Sequence, residues 1–425
     1  MSIKELHNLF KKCGGVSTNS RQVKNGDLFF SLKGPNFNGN EYAKNAIQSG
    51  AKYAIVDEQK YVFDENFILV DNCLEALQKL STFHRNSLNV KVIGITGSNG
   101  KTTTKELVNS VLTTQFNTSY TKGNLNNHIG VPISLLNISE KTEIAIIEMG
   151  ANHVGEIAFL CEICDPDFGY ITNFGKAHLE GFGDEEGVMR GKKELYDYIK
   201  SKKGLIFHNN DDPKQTECIG NYQKKYSFGK SNGDMMYSIK SLNPKIEINL
   251  GNNSLKSSLF GIHNLENIMA ASLIGNYFKI DLKNIIKGIR AYIPSNNRSQ
   301  IIKKNSNKII LDAYNANPSS MYAAINFFED LNDKDKVFIL GDMFELGKNE
   351  IFYHQEIVDY CKGIKSKKIF LVGELFCKTE KFKEFNYSKN VDELIAKKEL
   401  SEIKNSNLLI KGSRGIKLEK IIDHL

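Results

Sequence analysis

The segment Gly94–Leu112, GITGSNGKTTTKELVNSVL, constrains the fold more than any other part of the chain. An apolar run, Asn89–Thr96, enters a glycine-rich turn, and the turn opens an amphipathic stretch whose apolar positions Leu107, Val108, Val111 and Leu112 share one helical face. A buried strand that feeds a helix through a tight turn is a unit of a parallel sheet, so an α/β chain is expected. Glycines 97 and 100 let backbone N–H groups converge on phosphate oxygens, and the helix N-terminus adds a dipole that favours negative charge. Lys101 then belongs against the β- and γ-phosphates of a nucleotide, with the Thr102 hydroxyl offered to magnesium. Ile95 stands where the general P-loop has its first glycine, so the motif is the shorter GxxGKT variant, and a plain strand-to-helix connection is the alternative.

At 425 residues the chain exceeds one ordinary core, and two or three domains are expected. Short apolar runs alternate with amphipathic stretches almost throughout, which is an α/β signature. Residues 1–88 hold strand candidates at Leu28–Leu32, Tyr53–Val56 and Phe67–Val70, and a turn-rich piece, SLKGPNFNGNEY, that reads as a binding loop or an ordinary surface loop. Residues 89–298 add strands at Ile144–Met149, Tyr170–Asn173 and Leu205–His208, antiparallel ribbons over 236–261 and a helix from about Leu265. Residues 299–425 repeat strand then helix. These strands deliver Asp312, Asp342, Glu374 and Lys411 to their carboxyl ends, the edge at which open parallel sheets bind ligands.

Composition narrows the partners. The net charge of +7 is spread along the chain without a compact Lys/Arg block, so small anions are expected and no nucleic acid. Charges interrupt the apolar positions of the first residues, and no later segment reaches membrane-spanning length, so a soluble cytoplasmic protein without membrane insertion is expected. The seven cysteines, in apolar contexts such as Cys161 and Cys361, read as reduced packing residues.

Four further places carry candidate chemistry. Glu148 ends the strand in EIAIIEMG beside the phosphate loop, where a magnesium ligand is natural and a capping or surface carboxylate is the alternative. His178, in ITNFGKAHLEGFG, is as readily a packed histidine as a functional one. In GVMRGKKELYDYI, composition alone makes both Lys192 and Lys193 solvated lysines. Asn264 and Asn267 lie three apart in GIHNLENIMAA, where their amides suit either an adenine edge or a helix cap.

Nine strings taken in order resemble the Mur ligase family: STNSR, GITGSNGKTTTKE, GNLNNHIGVP, IEMGANHVGEI, TNFGKAHLEGFG, GIHNLENIMAA, DAYNANPSSM, LGDMFELG and LLIKGSRG. They span nearly the whole chain. GNLNNHIGVP, DAYNANP and LGDMFELG are similar to the dipeptide-adding branch. The DNPR-type signature of the diaminopimelate-adding relative is not in the sequence, and the folate-polyglutamate branch shares only the GxxGK loop.

The resemblance implies an α/β protein of three domains. Residues 1–88 would bind a UDP-sugar, and 89–298 would form a central P-loop ATPase-type parallel sheet. Residues 299–425 would form a Rossmann-like domain that binds the incoming amine and closes over ATP, with IPSNNRSQ as the hinge. It implies ATP and Mg2+ as cofactors, UDP-N-acetylmuramoyl-tripeptide and D-alanyl-D-alanine as small-molecule substrates, and a monomer. Lys101, Glu148, His178 and Lys192 would be catalytic, and Thr102, Glu148, His178 and Lys192 would hold the metal. Lys192 would be the lysine that the family carbamylates; the family commonly reads ARAKGE here and this chain reads MRGKKE, so Lys192 is placed by register beside Lys193. ATP would lie on Gly97, Ser98, Asn99, Gly100, Lys101, Thr102 and Thr103, with Asn264 and Asn267 at the adenine and Arg298 and Asp312 at the phosphates and ribose. Ser20, Arg21, Asn124, Asn126, Asn127, Tyr314, Asn315 and Asn317 would contact the substrates. Two other classes compete: an NTPase that couples hydrolysis to motion, and a non-catalytic nucleotide-binding module in which Glu148, His178 and Lys192 are incidental.

Overall fold

The computed structural model describes residues 1–243, 245–294, 296–331, 335–364 and 368–425. Ser295, inside the sequence-predicted hinge, and Pro244, inside the predicted ribbons, lie outside the described residues.

Among the described residues, three mainly parallel sheets follow one another along the chain. The first is four-stranded, in the order Val16–Ser17, Leu28–Phe30, Tyr53–Val56, Phe67–Leu69. Its buried Leu28, Phe30 and Ile55 pack against Leu77 and Leu80 of the helix Cys73–Asn86. That helix starts where it does because the Asn72 side chain accepts from the Leu74 and Glu75 N–H groups, satisfying donors with no partner inside the helix.

The central sheet has seven parallel strands, in the order Met235–Met236, Lys225–Gly229, Leu205–Asn209, Phe168–Ile171, Lys91–Thr96, Ile144–Glu148, Thr118–Tyr120. Lys91–Thr96 lies between Ile144–Glu148 and Phe168–Ile171, so the chain crosses from one side of it to the other. Such a reversal opens a crevice at the carboxyl ends of the strands. Both faces of the sheet are covered. Leu107, Val108, Val111 and Leu112 meet Ile268, Met269 and Ile285 on one side, and Ile157, Leu160, Leu195 and Ile199 pack on the other. Each such side chain, fully buried, contributes about 1.5–3 kcal/mol.

Two boundaries differ from the sequence expectation. The strand expected at Tyr170–Asn173 is Phe168–Ile171. Asp167 already exchanges bonds with Val92, while the Thr172 and Asn173 side chains turn to the carbonyl of Asn99 in the phosphate loop. The helix expected from Leu265 begins at Ile262, with Gly261 as its cap. Asn264 and Asn267 therefore sit inside the helix, which removes the capping alternative. The ribbons are present as the antiparallel strands Ser238–Ser241, Glu247–Leu250 and Asn253–Lys256.

The third sheet has the order Gln300–Lys304, Asn307–Asp312, Asn407–Lys411, Lys336–Gly341, Lys368–Val372, Asn386–Ser388, parallel except at the Gln300–Lys304 edge. Asp312 pairs with Lys411 across neighbouring strands, which brings opposite charges together at the carboxyl edge. His354 is a core residue. It is fully buried, its Nε2 accepts from the Met343 N–H at 3.0 Å and its Nδ1 donates to the Glu350 carbonyl at 2.6 Å. Burial holds it neutral, with its pKa lowered to about 4.

The spacing of Cys161 and Cys164 would suggest a redox or metal pair in a loop. Here both lie inside the helix Glu156–Cys164, buried against the Met149 sulfur, and burial pushes both thiols up, so they are packing residues. Among the described residues no helix is long and apolar enough to cross a membrane.

Candidate active site

A cleft of about 1120 Å³ opens between the carboxyl ends of the central and third sheets. Of the residues singled out in the sequence, Ser98 to Thr103, Asn124, Asn126, Asn127, Glu148, His178, Asn264, Asn267, Arg298, Asp312, Tyr314 and Asn315 line it. Gly97 lies behind the loop, Lys192 lies beneath Ala151 of the cleft wall, and Asn317 caps a helix facing the loop. Ser20 and Arg21 are elsewhere. They sit on a short turn, Ser20–Gln22, of the first block and do not line the cleft.

The loop needs its two glycines for stereochemical reasons. Gly97 has φ +137° and Gly100 φ +80°, conformations that L side chains avoid. A Cβ on Gly97 would stand 2.0 Å from the Thr172 hydroxyl and 2.9 Å from the Thr172 backbone nitrogen, and one on Gly100 would meet the Asn267 amide at 2.5 Å. Because the neighbour at Gly97 includes backbone, nothing there can yield cheaply. Gly97→Ala is therefore expected to destabilise the central block by about 2–4 kcal/mol, the sum of positive-φ strain and overpacking. Thermal or denaturant unfolding measures it, and a midpoint equal to wild type would show that the loop accommodates the methyl group.

Lys101 opens the helix Lys101–Leu112 and folds back on the loop, its Nζ donating to the Gly97 carbonyl at 2.5 Å and the Ser98 carbonyl at 3.0 Å. Loss of water lowers its pKa to about 8, although the Glu148 carboxylate works the other way. Glu148 is buried and gathers two donors and one cation. Thr102 Oγ1 and Asn126 Nδ2 reach its Oε1 at 3.2 and 2.8 Å, and the fully buried Lys105 stands 3.3 Å from Oε2 as an ion pair without a hydrogen bond.

These atoms fit magnesium. The Oε2 of Glu148 is buried with no hydrogen-bond partner, and carboxylate and hydroxyl oxygens are the hard donors that magnesium takes. Among the described residues no three His, Cys, Asp or Glu converge, so phosphate oxygens and water would complete the shell, the usual arrangement for this ion.

The two adjacent lysines are sharply different. Lys192 is fully buried, donates to the Ala151 carbonyl at 3.0 Å and stands 4.8 Å from the Phe182 ring centroid. Burial, reinforced by the charge of Lys101, pushes its pKa well below the ordinary lysine range. Lys193 turns outward to an ion pair with Asp197 at 2.7 Å on the same helix. The composition reading, which left both solvated, fails for Lys192 because the Glu185–Ser201 helix turns position 192 inward, toward the strand end that carries Glu148.

On the far wall, the Arg298 guanidinium covers the Tyr314 ring at 3.6 Å, and Arg414 stands 5.3 Å from the same ring. Asp312 pairs with Lys411 at 2.6 Å, and the lysine holds its carboxyl below the usual range against the opposing effect of burial. Asn267 Oδ1 receives the Thr104 hydroxyl at 2.9 Å and Asn267 Nδ2 donates to Asn264 Oδ1 at 3.1 Å, while Asn264 Nδ2 donates to the Phe260 carbonyl, so Asn267 is tied to the phosphate-loop helix and Asn264 to Asn267.

Sequence reasoning missed two residues. Glu345, from the third block, brings its Oε2 to 2.5 Å from the Nδ1 of His178, and its pKa falls chiefly through that contact. It lies within LGDMFELG, but nothing in that string assigns it a role. Lys105 did leave a signal: it falls on the same helical stripe as Val108 and Leu112, where a lysine must be buried and paired.

Comparisons with known proteins agree along the chain. Residues 12–85 match the model of the Mur ligase family, catalytic domain, residues 95–275 the Mur ligase middle domain, and residues 297–414 the Mur ligase, glutamate ligase domain. The UDP-N-acetylmuramoyl-tripeptide–D-alanyl-D-alanine ligase of Bacillus subtilis is 36% identical, over 97% of this chain and 93% of that protein. The Escherichia coli protein of the same name is 29% identical, over 96% and 92%. Among solved structures, MurF from Acinetobacter baumannii superposes with a TM-score of 0.86 at 28% identity, covering 99% of this chain and 98% of the other. MurF ligase from Thermotoga maritima in complex with ADP gives 0.85 at 26%, covering 98% and 97%. With this agreement over nearly its full length and a phosphate loop of the expected form, the chain belongs to the Mur ligase family of ATP-dependent ligases.

Proposed function

We propose that this chain adds D-alanyl-D-alanine to UDP-N-acetylmuramoyl-tripeptide at the expense of ATP, in cytoplasmic peptidoglycan precursor synthesis. The observation that carries the reading is the cleft in which the phosphate loop faces Arg298, at the block junction, and Asp312 and Lys411 of the third block, so that a nucleotide and an acceptor amine meet at one point. The full-length relatives that carry this activity in their names support it. In this reading residues 1–88 bind the UDP-sugar, 89–298 the ATP and 299–425 the dipeptide.

The tripeptide's terminal carboxylate attacks the γ-phosphate, giving an acyl phosphate and ADP. The amine of the dipeptide then attacks the acyl carbon, and the tetrahedral adduct collapses to a peptide bond and phosphate. A free carboxylate resists the amine because its charge repels nucleophiles and oxide cannot leave; phosphate can. Bringing a carboxylate to a triphosphate sets like charges together, so catalysis is mainly positioning and neutralisation. Lys101 supplies positive charge at the γ-phosphate, and the loop N–H groups orient the phosphates. Thr102, Glu148 and His178 would hold magnesium, and that ion would add further neutralisation when bound. A carbamate on Lys192 would supply an anionic oxygen donor where the unmodified amine offers none.

A coupled ADP-release assay tests the reading. Continuous ADP release should require the UDP-sugar tripeptide and the dipeptide together, and mass spectrometry should find the joined pentapeptide product. ADP release that needs neither substrate would replace the ligase with an NTPase coupled to other work.

A further inference from the structure

The third block touches the phosphate loop itself. Asn317 caps the helix Pro318–Glu329, its Oδ1 accepting from the Ser320 N–H at 2.9 Å, while its Nδ2 donates to the Oδ1 of Asn99 at 2.8 Å. Asn317 is only 4% exposed and does not line the cleft, which argues against the substrate contact expected from the sequence. Asn99 is held from the other side through its backbone. Its N–H donates to Asn173 Oδ1 at 3.1 Å, and its carbonyl accepts from Thr172 Oγ1 at 2.6 Å and Asn173 Nδ2 at 3.1 Å. Nearby, the Lys176 N–H donates to Ser319 Oγ at 3.1 Å, and the Glu180 N–H to the Glu345 carbonyl at 3.2 Å.

We propose that the Asn99–Asn317 hydrogen bond couples the seating of the third block to the shape of the phosphate loop, which makes Asn317 a positioning residue for the ligation. The inference rests on the ligase reading, because it requires the third block to carry the amine. Three features lead to it. The cap fixes Asn317 rigidly to its helix, so the position of its amide reports the position of the whole third block. Asn99 lies between Gly97 and Gly100, the two residues with the freest backbone in the loop, so a bond to its side chain acts where the loop is softest. The remaining bonds to Asn99 come from the central block and persist wherever the third block sits. Loop N–H groups that cradle the triphosphate thus take their final orientation when the amine-bearing block is docked, and a nucleotide bound alone sits in a less ordered cradle.

The test is a double-mutant cycle on Asn317→Ser and Asn99→Ser in the full chain. Serine caps a helix about as well as asparagine, so Asn317→Ser should keep its fold and thermal midpoint while losing the reach to Asn99. At saturating ATP and UDP-sugar tripeptide, kcat/KM for D-alanyl-D-alanine should fall about fivefold in each single variant, the size of one net hydrogen bond, and no further in the double variant. Binding of ATP by Asn317→Ser in the absence of both other substrates should stay within about twofold of wild type. Losses that multiply in the double variant, an unchanged kcat/KM in Asn317→Ser, or a loss matched by equal weakening of ATP alone would overturn the coupling. A wild type that shows no dipeptide-dependent turnover would instead overturn the ligase reading beneath it.

Discussion

Lys101→Ala should lower turnover by about 10²–10³-fold and weaken ATP binding, because it removes the one cation that the phosphate loop brings to the γ-phosphate. In the structure the Lys101 ammonium is fixed by two loop carbonyls, Gly97 and Ser98, so its position is set before any phosphate arrives and little reorganisation is needed. Lys101→Arg should not restore the rate. A planar guanidinium on a longer stem does not fit a pocket bounded by carbonyls 2.5 and 3.0 Å from a single nitrogen. The lowered pKa adds a pH signature. With a value of about 8 in the free protein, Lys101 is mostly charged at pH 7 and loses its charge as pH rises through 8. Wild-type affinity for ATP should therefore decline on the alkaline side, starting well below the ordinary lysine range, and Lys101→Ala should lack that decline. ATP binding by calorimetry at a series of pH values checks both statements. Equal affinity in the variant and wild type would remove Lys101 from the phosphate site and the phosphate loop from its role.

What the sequence could reveal follows from the range over which each signal acts. The phosphate loop was legible because its determinants are local: the apolar run, the two glycines and the helical stripe all lie within Gly94–Leu112. Glu148 was legible because an acid at the end of an apolar run has only the sheet edge to go to. The starts of Phe168–Ile171 and Ile262–Tyr277 were not, since tertiary partners set them: Asp167 bonds to Val92 in a neighbouring strand, and Asn267 bonds to Thr104 of the phosphate-loop helix. Residues that act across blocks left the weakest trace. The Glu345–His178 and Asn317–Asn99 pairs join positions 167 and 218 residues apart, a juxtaposition that no periodicity encodes. Short strands such as Asn386–Ser388 escaped for a related reason, because three residues carry too little alternation to register.

Lys192→Ala is expected to cost about 10²-fold or more in turnover, the scale for loss of a group that holds charge at the reacting centre. A lysine with no exposed surface, one carbonyl partner and an aromatic ring is poorly placed to keep an ammonium, since burying a charge without a counterion is expensive. Among the described residues no carboxylate is paired with it, and burial, reinforced by the charge of Lys101, favours the neutral amine against the more distant Glu156 and Glu194. A neutral amine is the form that attacks carbon dioxide, and the product carries the anionic oxygens that Glu148 alone cannot supply to a metal. Short carboxylic acids such as acetate or propionate, fitting the space left by the deleted side chain, should partly restore the alanine variant. Lys192→Arg should stay inactive, because a guanidinium remains charged and cannot be carbamylated. Lys193→Ala provides the contrast: its exposed ion pair with Asp197 is worth well under about 1 kcal/mol, and activity should remain near wild type. Independent of activity, protein equilibrated with ¹³C-bicarbonate should show a carbamate carbon resonance that disappears in Lys192→Ala and persists in Lys193→Ala. Full turnover in Lys192→Ala, or the same resonance in that variant, would assign the modification elsewhere or to no residue at all.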